Sequence, residues 1–258
     1  MLRNQVKNSI VYSDDQILAI ERSLSAHRFN SYVIQAEGNR NDSIRLYERN
    51  TELSEALYGV IQGLEITLRN SIHLILQSGT GFEDWYDHIH LQGPEADTVH
   101  LAKMALEALH KPVTAPRVIA KINFWFWVRL TASIYEKDLW VPHLHKIFPA
   151  KMMRSLLNKR LSKVKELRNQ IAHHERISKR DLATDHREII ETIKWLCPIT
   201  AQWVKKSTRF EKIPPMGTEE KRARCAVPWR EGRRLPKKCR LAVANGPSAR
   251  LFQPVVAT

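Results

Sequence analysis

Arg168, Asn169 and His173 lie within six residues of one another in LRNQIAHHERI, Leu167 to Ile177, with a second imidazole at His174. On a helix at about 100° per residue, Arg168 falls inside an apolar stripe, between Leu161 and Ile171, where a charge is costly unless paired. Asn169 and His173 share the face beside it; His174 leaves on another side. A guanidinium, an amide and an imidazole converging at a helix edge can hold a phosphate, because Arg offers a bidentate fork and imidazole moves a proton near neutral pH. Those groups suffice to cut RNA without a metal. An imidazole takes the 2'-hydroxyl proton or protonates the leaving 5'-oxygen, and Arg stabilises charge on the phosphoryl oxygens. One imidazole does not easily do both jobs, so a second is wanted, from His174 or from a symmetry-related subunit.

A structural reading of the same residues stands beside the catalytic one. Arg168 can be the buried partner of an acid such as Glu65, Asn169 a packing hydrogen bonder, and His173 and His174 cations that suit a helix C-terminus. Adjacent histidines pointing about 100° apart are poor metal ligands, so no metal and no cofactor is expected. Glu65, Arg69 and His73 are spaced four apart on one helix and read as an i,i+4 salt bridge, or as support for the site. Lys159, Arg160, Lys163 and Lys165 form a basic face on the motif's own helix that can hold RNA.

The elements that must position these residues are helical. From Asn50 to Gln77 the apolar residues Leu53, Leu57, Val60, Leu64, Leu68, Ile72 and Ile75 recur at steps of three and four. Asn50 or Thr51 reads as the N-cap and Gly79 to Gly81 as the stop. His100 to His110 is a second helix. Arg117 to Tyr135 is apolar around most of its circumference and predicts one central helix buried on several sides. Lys151 to about Arg176 places Met153, Leu157, Leu161, Val164, Leu167 and Ile171 in one stripe and carries the motif. Ala183 to Lys205 is a last helix, with Ile189, Ile193, Leu196 and Trp203 inward and Pro198 kinking or splitting it. No alternating strand pattern occurs, so the fold class is all-α.

The chain has 258 residues and a formal charge of +14. From Lys205 to Thr258 there are 14 Lys and Arg against 4 Asp and Glu, so most of the excess sits in the tail. That stretch also holds half of the 12 prolines, and periodicity ends there. The expected organisation is a helical domain over residues 1–210 and a basic, Pro-rich, disordered tail over 211–258. No apolar run approaches the ~18 residues of a membrane span, no secretory core opens the chain, and three scattered cysteines form no disulfide framework. A protein of the reducing cytoplasm, with no membrane partner, is expected.

Three stretches together resemble a known family. SEALYGVIQGLEITLRNSIH (Ser54 to His73), FWFWVRL with the following YEKDLW (Phe124 to Trp140), and KVKELRNQIAHHERI (Lys163 to Ile177) look like the signatures of the bacterial Abi-like, abortive-infection proteins. The resemblance covers roughly residues 10 to 210. That family is placed among the HEPN domains (higher eukaryotes and prokaryotes nucleotide-binding), helical bundles with a shared Arg, polar, His motif, here Arg168, Asn169 and His173. The resemblance implies a HEPN-like helical bundle acting as a metal-independent endoribonuclease. It also implies a homodimer whose two motifs face each other, working in phage defence under an antitoxin or regulator. The RNA-binding set on this reading is Lys159, Arg160, Lys163, Lys165, His174 and Arg176. Glu65, Arg69 and Asn70, in the first signature, are expected to support the site. Many HEPN toxins carry Tyr two places after the His; this chain has Glu175. The competing expectation is a HEPN-type module that binds RNA or a nucleotide without cutting it.

Overall fold

Ser13 and Gln16 cap each other: the Gln16 N–H donates to Ser13 Oγ and the Ser13 N–H to Gln16 Oε1, which starts α1 (Asp14–Leu24). The computed structural model describes residues 11–213. One residue later α2 (Ala26–Gln35) begins. Asn39 caps α3 (Arg40–Thr80), accepting from the Asp42 N–H at 3.1 Å. This helix runs 41 residues and ends at Gly81, whose φ of 81° is the left-handed conformation that glycine adopts without penalty.

The expected start of α3 at Asn50 or Thr51 is therefore wrong by ten residues. Upstream residues stay helical because Ile44 packs with Ile17 of α1 and Phe29 of α2 in a separate apolar cluster, flanked by Tyr12, Ile20, Leu24, Val33 and Tyr47. Asn50 is buried in the third turn of the helix and its side chain serves another segment.

The second expected helix is α4 (Gly93–Ala108), longer at its start than predicted. The single central helix predicted for Arg117 to Tyr135 is broken. It is α5 (Ala115–Lys121) and α6 (Phe124–Arg129), followed by a 3-10 turn at Ser133–Tyr135 and a π turn at Glu136–Trp140. Asn123 causes the break: its backbone is extended and its side chain accepts from the Phe126 N–H at 3.2 Å, recapping the chain. Burial was expected correctly, since Phe124, Phe126, Trp127, Val128 and Leu130 are all within 2% of full burial. Glu95 of α4, itself 2% exposed, ties the region together by accepting from Arg129 Nε at 2.9 Å and from the Tyr135 hydroxyl at 2.8 Å.

Next comes α7 (Arg154–Ala172), with Leu157, Leu161, Val164, Leu167 and Ile171 buried as expected. Met153 is exposed instead, because it precedes the first turn and serves as N-cap. Pro198 splits the last predicted helix into α8 (Leu182–Leu196) and α9 (Pro198–Ser207). The split turns Trp203 outward, to 66% exposure, while Ile189 and Ile193 stay buried.

Among the described residues there is no strand, and the fold is an all-α bundle organised around α3, which touches α2, α7, α8 and α9. No helix of the described residues is long and apolar enough to cross a membrane. The predicted tail, apart from its first three residues, lies outside the described residues.

Candidate active site

The motif's helix ends sooner than its periodicity predicts, and the reason is backbone geometry. His173 is the C-cap of α7, and its N–H still donates to Asn169 O at 2.9 Å. His174 turns left-handed, with φ at 57°. Its N–H then donates to Ile171 O at 3.0 Å, and the Glu175 N–H to Gln170 O at 2.8 Å. This pair of bonds is a Schellman stop, with histidine where glycine or asparagine usually sits. The motif's imidazoles thus stand on a fixed turn at the end of the helix.

Three side chains, Asn50, Arg28 and Arg176, clamp that turn through long-range contacts. Asn50 Nδ2 donates to Glu175 O at 3.2 Å, and Asn50 Oδ1 accepts from the Ile177 N–H at 2.9 Å. Arg28 Nη1 of α2 donates to His173 O at 2.9 Å. Arg176 Nη1 donates to Ser31 O at 2.7 Å and to Gln35 Oε1 at 3.2 Å, with its guanidinium 5.9 Å from the Tyr32 ring centre. Between the turn and α2 lies a cleft of about 490 Å³, lined by His27, Arg28, Ser31, Tyr32, Tyr47, His173, His174, Glu175 and Arg176. Burial, then Tyr47, push the Tyr32 hydroxyl up to about 12, with Arg176 opposing.

His173 and His174 therefore meet in one cleft, where the helical projection sent them apart. Arg168 and Asn169 do not line it. Arg168 is partly buried, and its Nε is buried without a hydrogen-bond partner. Its charge acts on Glu65 of α3: burial raises the Glu65 carboxyl above its ordinary range, and Arg168, then Arg69, pull it back. The ion pair with Glu65 weighed from sequence does not form among the described residues; Arg168 acts on Glu65 through its charge alone. The Asn169 side chain makes no hydrogen bond among the described residues.

The predicted i,i+4 chain along α3 does not form. Arg69 Nε donates to its neighbour Asn70 Oδ1 at 3.1 Å. His73 Nδ1 accepts from Trp85 Nε1 at 3.1 Å, and burial lowers the His73 pKa. Its proximity to Trp85, 12 residues on, replaced the expected pairing.

The basic residues divide by partner. Lys159 and Lys163 are exposed. Arg160, expected to hold RNA, instead lies 3.0 Å from Glu191 and 4.5 Å from the Trp195 ring centre, joining α7 to α8. Lys165 Nζ stands 4.1 Å from the ring centre of Trp125, a residue 41% exposed. Arg176 spends part of its fork on α2, as above.

Residues that sequence reasoning missed are His27, Arg28 and Asn50. Only Asn50 carried a signal, and its polar type before an apolar run reads as a cap. Among the described residues no three His, Cys, Asp or Glu converge in a metal-holding group. No family model, curated protein or solved structure matches the chain.

Proposed function

We propose that the chain is an abortive-infection, phage-defence protein of the HEPN type that cleaves RNA in the cytoplasm without a metal. The observation that supports this most is the placement of His173. It ends α7 on a clamped turn and opens on a cleft whose other charged walls are mainly cationic. An imidazole held there is ready for proton transfer to or from a phosphodiester.

On this reading His173 handles a proton. Arg168 and Asn169, on the adjoining helix edge, stabilise charge on the phosphate once RNA or a second copy of the chain meets that edge. Arg168 itself is only partly buried, with its Nε buried and free of a hydrogen-bond partner, so its guanidinium is not committed to another side chain. Glu65, Arg69 and Asn70 support the Arg168 side. Partners are RNA, a second copy of the chain, and an antitoxin or regulator that holds activity back.

The test is cleavage of a labelled RNA by purified chain in excess chelator. Arg168→Ala and His173→Ala should each cost about 10² to 10⁴ in rate. Products should carry a 2',3'-cyclic phosphate, since the adjacent 2'-hydroxyl is the nucleophile when no metal-bound water attacks. Unchanged cleavage in both variants overturns the proposal.

A second reading, an RNA-binding module that does not cut, is favoured by one observation: Lys159 and Lys163 are exposed with no ion pair among the described residues. Intact RNA bound with steep salt dependence selects it.

A further inference from the structure

We propose that Trp125 is the base-stacking platform of the RNA site and that Lys165 beside it holds the adjoining phosphate, so that the substrate is a single strand. This rests on the reading that the chain acts on RNA, and it leaves Arg168, Asn169 and His173 in the roles given above.

Trp125 is the outward aromatic of a buried run. In α6 its neighbours Phe124, Phe126, Trp127 and Val128 are each 2% exposed or less, whereas Trp125 is 41% exposed. What stands around its ring is cationic. Lys165 Nζ lies 4.1 Å from the ring centre and Arg129 Cζ 5.8 Å. Arg129 is already paired, with Glu95 at 2.9 Å, but Lys165 has no ion pair among the described residues. An exposed aromatic beside an unpaired cation is the combination that binds single strands: a base stacks on the ring and the cation takes phosphate. The Lys165 ammonium, on a flexible four-carbon stem, can leave the ring for a phosphate, because a cation–π contact at an exposed site is weak.

The platform adjoins the motif's own helix edge. Lys165, Arg168, Asn169, Ala172 and His173 follow one another at steps of three, one, three and one, which places them along one side of α7 and its cap. Ala172 is exposed and small, so it leaves that edge open. At 1.5 Å per residue, His173 lies about 12 Å along the helix axis from Lys165. A strand with a base on Trp125 and a phosphate on Lys165 therefore has Arg168 and His173 within reach of its neighbouring nucleotides.

This placement names the substrate class. A base inside a duplex has both faces covered by its neighbours, so stacking on an indole selects unpaired RNA. Because every base has a π-face, the platform discriminates strandedness and not sequence.

Equilibrium binding of the full chain to a labelled oligoribonucleotide with methylated 2'-hydroxyls tests this, since such a strand lacks the nucleophile and stays intact. Trp125→Ala should weaken binding about 5- to 150-fold, the range of one base stack. Trp125→Phe, which keeps a ring, should recover most of it, and Trp125→Leu, which keeps only bulk, should not. Trp125 is exposed, so the variants should fold; thermal melts check it. An abasic strand of the same length should bind the parent more weakly than the ordinary strand, and that difference should shrink in Trp125→Ala. A duplex should bind parent and Trp125→Ala alike. Lys165→Ala should lower the slope of log affinity against log salt by about one. Equal binding of parent and Trp125→Ala, Leu serving as well as Phe, or an equal loss on duplex overturns the proposal and leaves RNA cleavage standing. So does a Trp125→Ala protein that sediments as a smaller species with the abasic difference unchanged, which assigns the indole to a protein interface. A parent that neither binds nor cuts RNA overturns the underlying reading as well.

Discussion

Asn50 and Ile177, 127 residues apart in the chain, are joined by a buried hydrogen bond of 2.9 Å from the Ile177 N–H to Asn50 Oδ1. The same amide donates Nδ2 to Glu175 O. One buried side chain in the third turn of α3 thus satisfies two backbone groups on the turn that carries the motif.

Asn50→Ala leaves the buried Ile177 N–H without an acceptor and Glu175 O without its donor. An unsatisfied buried group costs about 1–3 kcal/mol. The expected loss is about 2–4 kcal/mol in urea unfolding, with cleavage falling even where the variant is fully folded, because the turn is released. Asn50→Asp keeps the acceptor and loses the donor, and should fall between. A loss under about 0.5 kcal/mol would show that water replaces both bonds.

His174 carries a strained backbone. Its φ of 57° is left-handed, which costs a non-glycine residue about 1–2 kcal/mol. His174→Gly should therefore raise stability by up to about 1 kcal/mol, part of the gain being offset by the greater freedom of glycine when unfolded. His174→Val should destabilise, since a β-branched residue fits that conformation worst. Equal melting of the two variants would contradict the Schellman geometry. Because His174→Gly spares the fold, its cleavage rate reads the contribution of that imidazole alone.

Much of the scaffold is legible in the sequence. Leu57, Leu64, Leu161 and Leu167 recur at helical spacing and are all fully buried, because one face of each long helix is enough to announce itself. Breaks are less legible. Asn123 interrupts an unbroken apolar run, and only its capping bond to Phe126 reveals why. Ser13 and Gln16 spell a capping box that marks α1, yet α1 and α2 are short and fold by packing Ile17 and Phe29 on Ile44 rather than by strong periodicity. The site belongs with the breaks. Helical spacing sends His173 and His174 to different sides and only the left-handed turn at His174 brings them to one cleft, while Arg28 lies 145 residues from the His173 carbonyl it binds, a contact that only the packing of α2 creates.

Glu65 predicts a pH dependence of definite sign. Burial raises its carboxyl on folding, against the pull of Arg168 and Arg69. A raised carboxyl binds its proton more tightly folded than unfolded. It therefore favours the folded state below the ordinary carboxyl range, and the advantage is lost as pH rises through the folded value. Glu65→Gln removes that loss, so its stability relative to the parent should grow between about pH 4 and pH 7. A constant gap in urea midpoint across that range would refute the assignment. Arg168→Ala, by removing the first of the two opposing charges, should move the Glu65 carboxyl higher still, read by carboxyl ¹³C chemical shift.

The basic face of α7 separates into two exposed lysines and one arginine engaged with α8. Lys159 and Lys163 are exposed, and neither has an ion-pair partner among the described residues. Arg160 has a side chain only 15% exposed, spent on Glu191 and on the face of Trp195. A lysine that neutralises one phosphate contributes about one to the slope of log affinity against log salt. Lys159→Ala and Lys163→Ala should each lower that slope by about one and leave melting unchanged within about 0.5 kcal/mol. Arg160→Ala should do the reverse, leaving the slope and lowering stability, because it removes the cation that joins α7 to α8. Its ion pair is half exposed on the Glu191 side, so the loss comes mainly from packing on the indole, about 0.5–1 kcal/mol. Slopes that fall equally in all three variants would mean that RNA displaces Glu191 from Arg160, and that the α7 to α8 clasp opens when the nucleic acid binds.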